Sequence, residues 1–199
     1  MNLDLIADDH DRPRNAAATR EAILRSAVSA FTRSGYDGAG LREIAGAAGV
    51  TAMMVKRYFG SKEQLFAEVV DHALAPRTIL VEDGAGMAHA AAAALVARTA
   101  REAEHLDPFL LMLRSASNPR AAEILRDGIG RHIGSHVAAQ LTGAAAGERS
   151  ELLLSVIAGI WLMRKVIGTP ALAAAEPGAL TAQVEELFRL LTSEIRPNR

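Results

Sequence analysis

Apolar residues recur at helical spacing in almost every segment of this 199-residue chain, and nowhere does a run of β-branched residues alternate with polar ones. That pattern restricts the chain to an all-α fold, and the glycine and proline punctuation divides it into about nine helices. Thr19 can cap a first helix whose apolar side is Ile23, Leu24, Ala27, Val28 and Phe31, with Gly35 suited to its end. Short helices are expected over 41–48 and 51–59. Ser61 and Gln64 form a capping box that opens another, to about residue 75. Further on, the spacing predicts helices over 84–105, 108–117, 119–141, 148–167 and 177–195. The second and third of these open with an N-cap residue followed by proline, at Asp107-Pro108 and Asn118-Pro119.

Aromatic residues and charge divide the chain at one place. Five of its eight aromatics (Phe31, Tyr36, Tyr58, Phe59, Phe66) fall close together and imply a small core of their own. Residues 1–11 carry a net charge of −4, residues 12–75 a net +3 from nine bases and six acids, and residues 76–199 none. We expect a mobile N-terminal arm over 1–18, a first domain over 19–75 and a second over 76–199. A net +3 is only a mild pointer to a polyanion.

Without cysteine the chain holds no disulfide framework, thiolate metal site or cysteine nucleophile. Its acidic start (Asp4, Asp8, Asp9, Asp11) is unlike a signal peptide. Its longest apolar stretch, Leu152 to Met163, is 12 residues interrupted by Ser155, against the ~20 of a membrane span. We expect no membrane association and a cytoplasmic location.

The stretch LREIAGAAGVTAMMVKRYF, residues 41–59, has what a helix-turn-helix requires. Ile44, Ala48, Val50, Val55 and Tyr58 can face a core, Ala45 permits a close crossing, and Gly49 can take the left-handed turn conformation. Thr51 caps the second helix, leaving Ala52, Met53, Lys56, Arg57 and part of Tyr58 outward. Lys56 and Arg57 suit phosphates or guanine edges, whereas Thr51, Ala52 and Met53 suit apolar contacts, thymine methyls included. The positive helix end near Leu41 and Arg42 suits a further phosphate. The competing reading is a helical hairpin with a solvated basic face.

The residues 19–75 resemble the TetR family of bacterial transcriptional repressors. The resemblance is carried by AFTRSGYDG, then LREIAGAAGV, then YFGSKEQLFAEVV, of which Tyr58 to Glu63 is the most specific part. It implies base or phosphate contact for Thr51 to Arg57 and phosphate contact for Tyr58 and Lys62. Two positions depart from the family pattern: Ala39-Gly40 replaces the usual hydroxyl residue before the first helix of the motif, and Lys56 stands where tyrosine is common. Glycine keeps the cap geometry at a cost of a few tenths of a kcal/mol.

The resemblance also implies a C-terminal helical domain that dimerises through its last two helices and binds a small effector. A homodimer through the helices at about 148–167 and 177–195 has separate support, since LLLSVIAGIWLM is apolar on every face. Phe109, Met112, Leu113 and Trp161 are candidate effector-lining residues, with His105 and Arg114 for polar specificity, although ordinary core explains the apolar ones as well. The implied protein is a ligand-responsive repressor on a palindromic double-stranded DNA operator. The alternative is a helical ligand-binding or scaffolding protein that has lost DNA recognition.

No enzyme is implied. His132 and His136 have the i, i+4 spacing of metal ligands, but the sequence between them lacks a zinc-protease glutamate and no third ligand is identifiable. Gly128-Ile-Gly130 lacks the strand of a dinucleotide loop, and Glu102, Glu104 and His105 read as a hydrated helix end. Neither cofactor nor metal is expected.

Overall fold

Eleven α-helices and no strand occur among the residues that the computed structural model describes, which are 11–75, 86–100 and 108–193 apart from the side chains of 11–14 and 87. The order is α1 (Asp11–Gly38), α2 (Leu41–Ala47), α3 (Ala52–Phe59), α4 (Lys62–Leu74), α5 (Gly86–Arg98), α6 (Pro108–Ser115), α7 (Pro119–Ile129), α8 (Ser135–Gln140), α9 (Ala146–Trp161), α10 (Pro170–Ala173) and α11 (Pro177–Thr192). Two π-helical turns, Gly130–Gly134 and Leu162–Ile167, join α7 to α8 and prolong α9. The all-α class is as expected. The short α10 was not anticipated from the sequence.

The chain forms two compact units, Met1–Ala73 with Leu106–Gly128 and Leu74–His105 with Ile129–Arg199. The sequence predicts a single break near residue 76, but α6 and α7 fold with the first unit because α6 packs along α1. The helical start also differs from expectation. α1 begins at Asp11, so Thr19 is no cap: its hydroxyl donates to the Asn15 carbonyl, four residues back, at 2.7 Å. Ala16, Ala17 and Ala18 are strong helix formers, and Pro13 lies in the first turn, where a missing N–H costs nothing. Residues 11–18 therefore belong to the helix, and residues 1–10 of the expected arm lie outside the described residues.

In the first unit Ile23, Ala27, Ala30 and Phe31 of α1 are buried with Ile44 and Ala45 of α2, Val55 and Phe59 of α3, and Leu65, Phe66, Val69 and Val70 of α4. Phe66 meets Phe31 and Tyr36 edge-on, each with centroids 5.0 Å apart, the arrangement aromatic quadrupoles favour. The helical run of α1 breaks at Gly35, where φ is +69°, a conformation that costs a residue with a Cβ. Arg114 of α6 caps that break by donating to the Thr32 and Arg33 carbonyls at 2.7 and 2.9 Å. The Ser115 hydroxyl accepts the Tyr36 N–H at 3.0 Å. Asn118 caps α7, as its pairing with Pro119 suggests, by accepting the Ala121 N–H at 3.0 Å, while its amide donates to Asp37.

In the second unit α11 lies along α5, and α9 packs against α11. Their core joins Ala88, Ala91, Ala92, Leu95 and Val96 to Val137, Leu141, Leu153, Leu180, Val184 and Phe188. Buried Arg164 closes the end of α5, donating to the Val96 carbonyl at 2.6 Å and the Thr99 hydroxyl at 2.8 Å. Glu176 caps α11 through the Gly178 and Ala179 N–H groups, which hold its carboxyl below the ordinary range.

Candidate nucleic-acid interface

The turn between α2 and α3 is built from backbone geometry. Ala48 and Gly49 close α2, Gly49 has φ +70°, and the Val50 N–H donates to the Ala45 carbonyl at 2.9 Å. Extended Thr51 then caps α3, its hydroxyl accepting the Met54 N–H at 3.3 Å. Val55 and Phe59 anchor the inner side of α3 in the aromatic core. Phe59, rather than Tyr58, is its fully buried aromatic; Tyr58, Ala48 and Val50 are half-buried. The outer side carries exposed Thr51, Met53, Lys56 and Arg57, with Ala52 partly exposed. Arg42, in the first turn of α2, is exposed as well.

Ser61 starts α4 with the reciprocal cap that the sequence predicts. The Gln64 side chain accepts the Ser61 N–H at 2.9 Å and the Ser61 hydroxyl accepts the Gln64 N–H at 3.2 Å. Lys62 is not simply extended: its ammonium sits 4.7 Å above the Tyr36 ring. The Tyr36 hydroxyl donates to the Glu63 carboxylate at 2.9 Å. Burial, reinforced by that hydrogen bond, pushes the Tyr36 phenol up to about 12. Glu63 is held below the ordinary carboxylate range by the Ser61 hydroxyl, its own N–H and the Tyr36 hydroxyl. The first turn of α4 is thus fixed to α1 before anything approaches it.

Arg20 is a contributor that the sequence reading overlooked. Its guanidinium lies 4.7 Å over the Phe59 ring and pairs with Glu68, bracing the end of α3 against α4. An arginine 39 positions before the aromatic leaves no mark in local periodicity.

The effector candidates are distributed over both units. Phe109, Met112, Leu113 and Arg114 are on α6 in the first unit, and buried Trp161 is in the second. Arg114 is engaged by the carbonyls of α1. His105 lies outside the described residues. An open groove of about 380 Å³ in the first unit is lined by other residues, among them Arg25, Ser29, Arg33 and Glu43. His136 is exposed, and no cluster of three metal-ligating side chains occurs among the described residues.

A capped helix that holds adjacent cations off a small core, one tight turn after a supporting helix, defines the helix-turn-helix class. Residues 23–69 match the family model for bacterial regulatory proteins of the tetR family, and residues 85–191 match that for the tetracyclin repressor-like C-terminal domain. The chain belongs to the TetR family. It is 39% identical over 61 residues to the HTH-type transcriptional repressor NicS of Pseudomonas putida, a match covering 31% of this chain and 29% of that one. The chain spans only 29–38% of the length of the curated relatives it matches first. A transcriptional regulator from Rhodococcus has a similar solved structure, with TM-score 0.59, 27% identity and coverage of 86% of this chain and 95% of that one. The multidrug binding protein EbrR complexed with proflavin shares the fold, with TM-score 0.60, 17% identity and coverage of 87% and 99%.

Proposed function

We propose that this chain is a cytoplasmic, ligand-responsive transcriptional repressor that acts as a homodimer on a palindromic DNA operator. The observation that carries this reading is on α3: Lys56 and Arg57 stand exposed on the same eight-residue helix whose Val55 and Phe59 are buried. The core thereby fixes the direction in which two cations point. In the reading, α3 enters the major groove, Lys56 and Arg57 meet phosphates or guanine edges, and Arg42, Tyr58 and Lys62 meet the backbone. Thr51, Ala52 and Met53 face the bases.

A second copy is supported by the outward side chains of the second unit. Leu152, Met163, Val166 and Ile167 along α9 and its π-helical extension, with Leu187 and Leu190 on α11, are apolar and exposed. A two-fold pair would set its recognition helices about 34–36 Å apart, or at a multiple of that spacing. An effector response is supported by the family match over residues 85–191. In that reading Phe109, Met112 and Leu113 of α6 contribute to the effector site, and ligand favours a dimer whose two α3 helices no longer fit one face of the duplex.

The experiment is selection of genomic fragments by the purified full chain, followed by footprinting. An inverted repeat protected as a unit supports the reading. Recovery of no specific fragment overturns it and favours a helical ligand-binding protein without DNA recognition.

A further inference from the structure

We propose that Met53 recognises the C5-methyl group of a thymine in each operator half-site, making it a specificity-determining residue. The inference rests on the DNA-binding reading above and narrows the apolar contact expected of Thr51, Ala52 and Met53 to one residue and one group.

Met53 is 80% exposed, more than any other large apolar side chain among the described residues. Among the described residues of the first unit the other exposed large apolar side chain, Leu113, is 43% exposed. A lone exposed apolar residue is ordinary on a protein surface. What distinguishes Met53 is its position, second in α3, in the turn that a helix-turn-helix directs at base edges. Nothing charged accompanies it: the first turn holds Ala52, Met53 and Met54, and the cations Lys56 and Arg57 come in the last turn. The Thr51 hydroxyl is committed as acceptor to the cap.

The major-groove edges of the four base pairs offer hydrogen-bond donors and acceptors and a single apolar group, the methyl of thymine. An uncharged side chain with no hydrogen-bond donor is poorly matched to guanine, adenine or cytosine edges and well matched to that methyl. The unbranched thioether also adapts its shape to a shallow contact. Lys56 and Arg57 follow Met53 by about one helical turn, roughly 5 Å along the axis, so all three can engage in one docked pose.

The test uses the full chain and the operator recovered by selection. Each thymine of one half-site is replaced singly by deoxyuridine, which removes the methyl and leaves the pairing edge intact. One position is expected to weaken wild-type binding about fourfold, the value for one methyl-sized group removed from an apolar contact. That sensitivity should vanish in Met53→Ala and persist in Met53→Leu, which keeps an apolar tip. Operator binding with no deoxyuridine-sensitive position overturns the inference, as does a sensitivity that Met53→Ala leaves undiminished. Failure to bind any duplex overturns this inference and the regulator reading together, whereas loss of the methyl coupling alone leaves the regulator reading intact.

Discussion

The backbone of Gly35 lies directly against that of Arg114: a Cβ added at Gly35 would stand 2.2 Å from the Arg114 carbonyl oxygen. The two residues are 79 positions apart, yet the break in α1 and the last turn of α6 leave no room for a methyl group between them. Positive φ and backbone contact thus exclude side chains at the same place. Gly35→Ala should destabilise the protein by roughly 2–4 kcal/mol, combining backbone strain with a clash against an unyielding carbonyl. Chemical denaturation of the two proteins measures it, and a midpoint unchanged in the variant would contradict the packing described.

Tyr36 should make the protein sensitive to alkali. Its folded-state pKa of about 12 exceeds the ordinary 10.0. The folded form therefore keeps a proton that the unfolded form releases, and stability present below pH 10 is lost as the pH rises towards 12. The loss amounts to roughly 2–3 kcal/mol. Unfolding curves at pH 9 and 11.5 should diverge for wild type and much less for Tyr36→Phe, which removes the titrating group.

On the proposed reading, Lys56→Ala and Arg57→Ala weaken operator binding without altering helix content, since both side chains are exposed. Loss of a cation bidentate to guanine costs roughly 1–3 kcal/mol, and loss of one on a phosphate lowers the salt slope by about one. Titrations at several salt concentrations separate the two roles.

Lys62→Ala should lower the salt slope by about one and leave base preference unchanged. Because Tyr36 holds the ammonium beside α4, Tyr36→Leu should reproduce part of that effect. A slope indifferent to both changes would remove Lys62 from the interface.

Leu190 is 72% exposed on α11, so a charge there is tolerated by the isolated chain. Leu190→Glu should convert a dimeric wild type to monomer in sedimentation experiments. A wild type that sediments as a monomer at every concentration would remove the two-fold arrangement.

The helix-turn-helix was legible because its determinants are local. Gly49, Thr51 and the Ser61–Gln64 pair act within four residues of themselves, and each does in the structure what its type suggests. Asn118 and Pro119 likewise mark the start of α7. Thr19 misled because a hydroxyl can bond backward within a helix as readily as it caps one, so only the preceding residues decide, and three alanines decide for helix. The internal glycines at 130 and 134 forecast no break; the helix widens into a π turn there and continues. Arg114 was the hardest to anticipate. As a residue type it suits a polar ligand, and only the fold reveals that the carbonyls of Thr32 and Arg33 occupy it. The exposed apolar side of α9 was visible as excess hydrophobicity, but not which residues form it: Leu153 is buried and Leu152 is half exposed.

The enrolment of α6 and α7 in the first unit bears on how the protein is made. Leu111, Ala121 and Leu125 are buried members of a unit whose other residues are synthesised first. During translation α1 to α4 are complete before α6, so the Thr32 and Arg33 carbonyls lack their Arg114 cap until α6 has been added. Completion of the first unit therefore waits until α5 has been synthesised, and a chain stalled before residue 108 would present chaperones and proteases with an unfinished one.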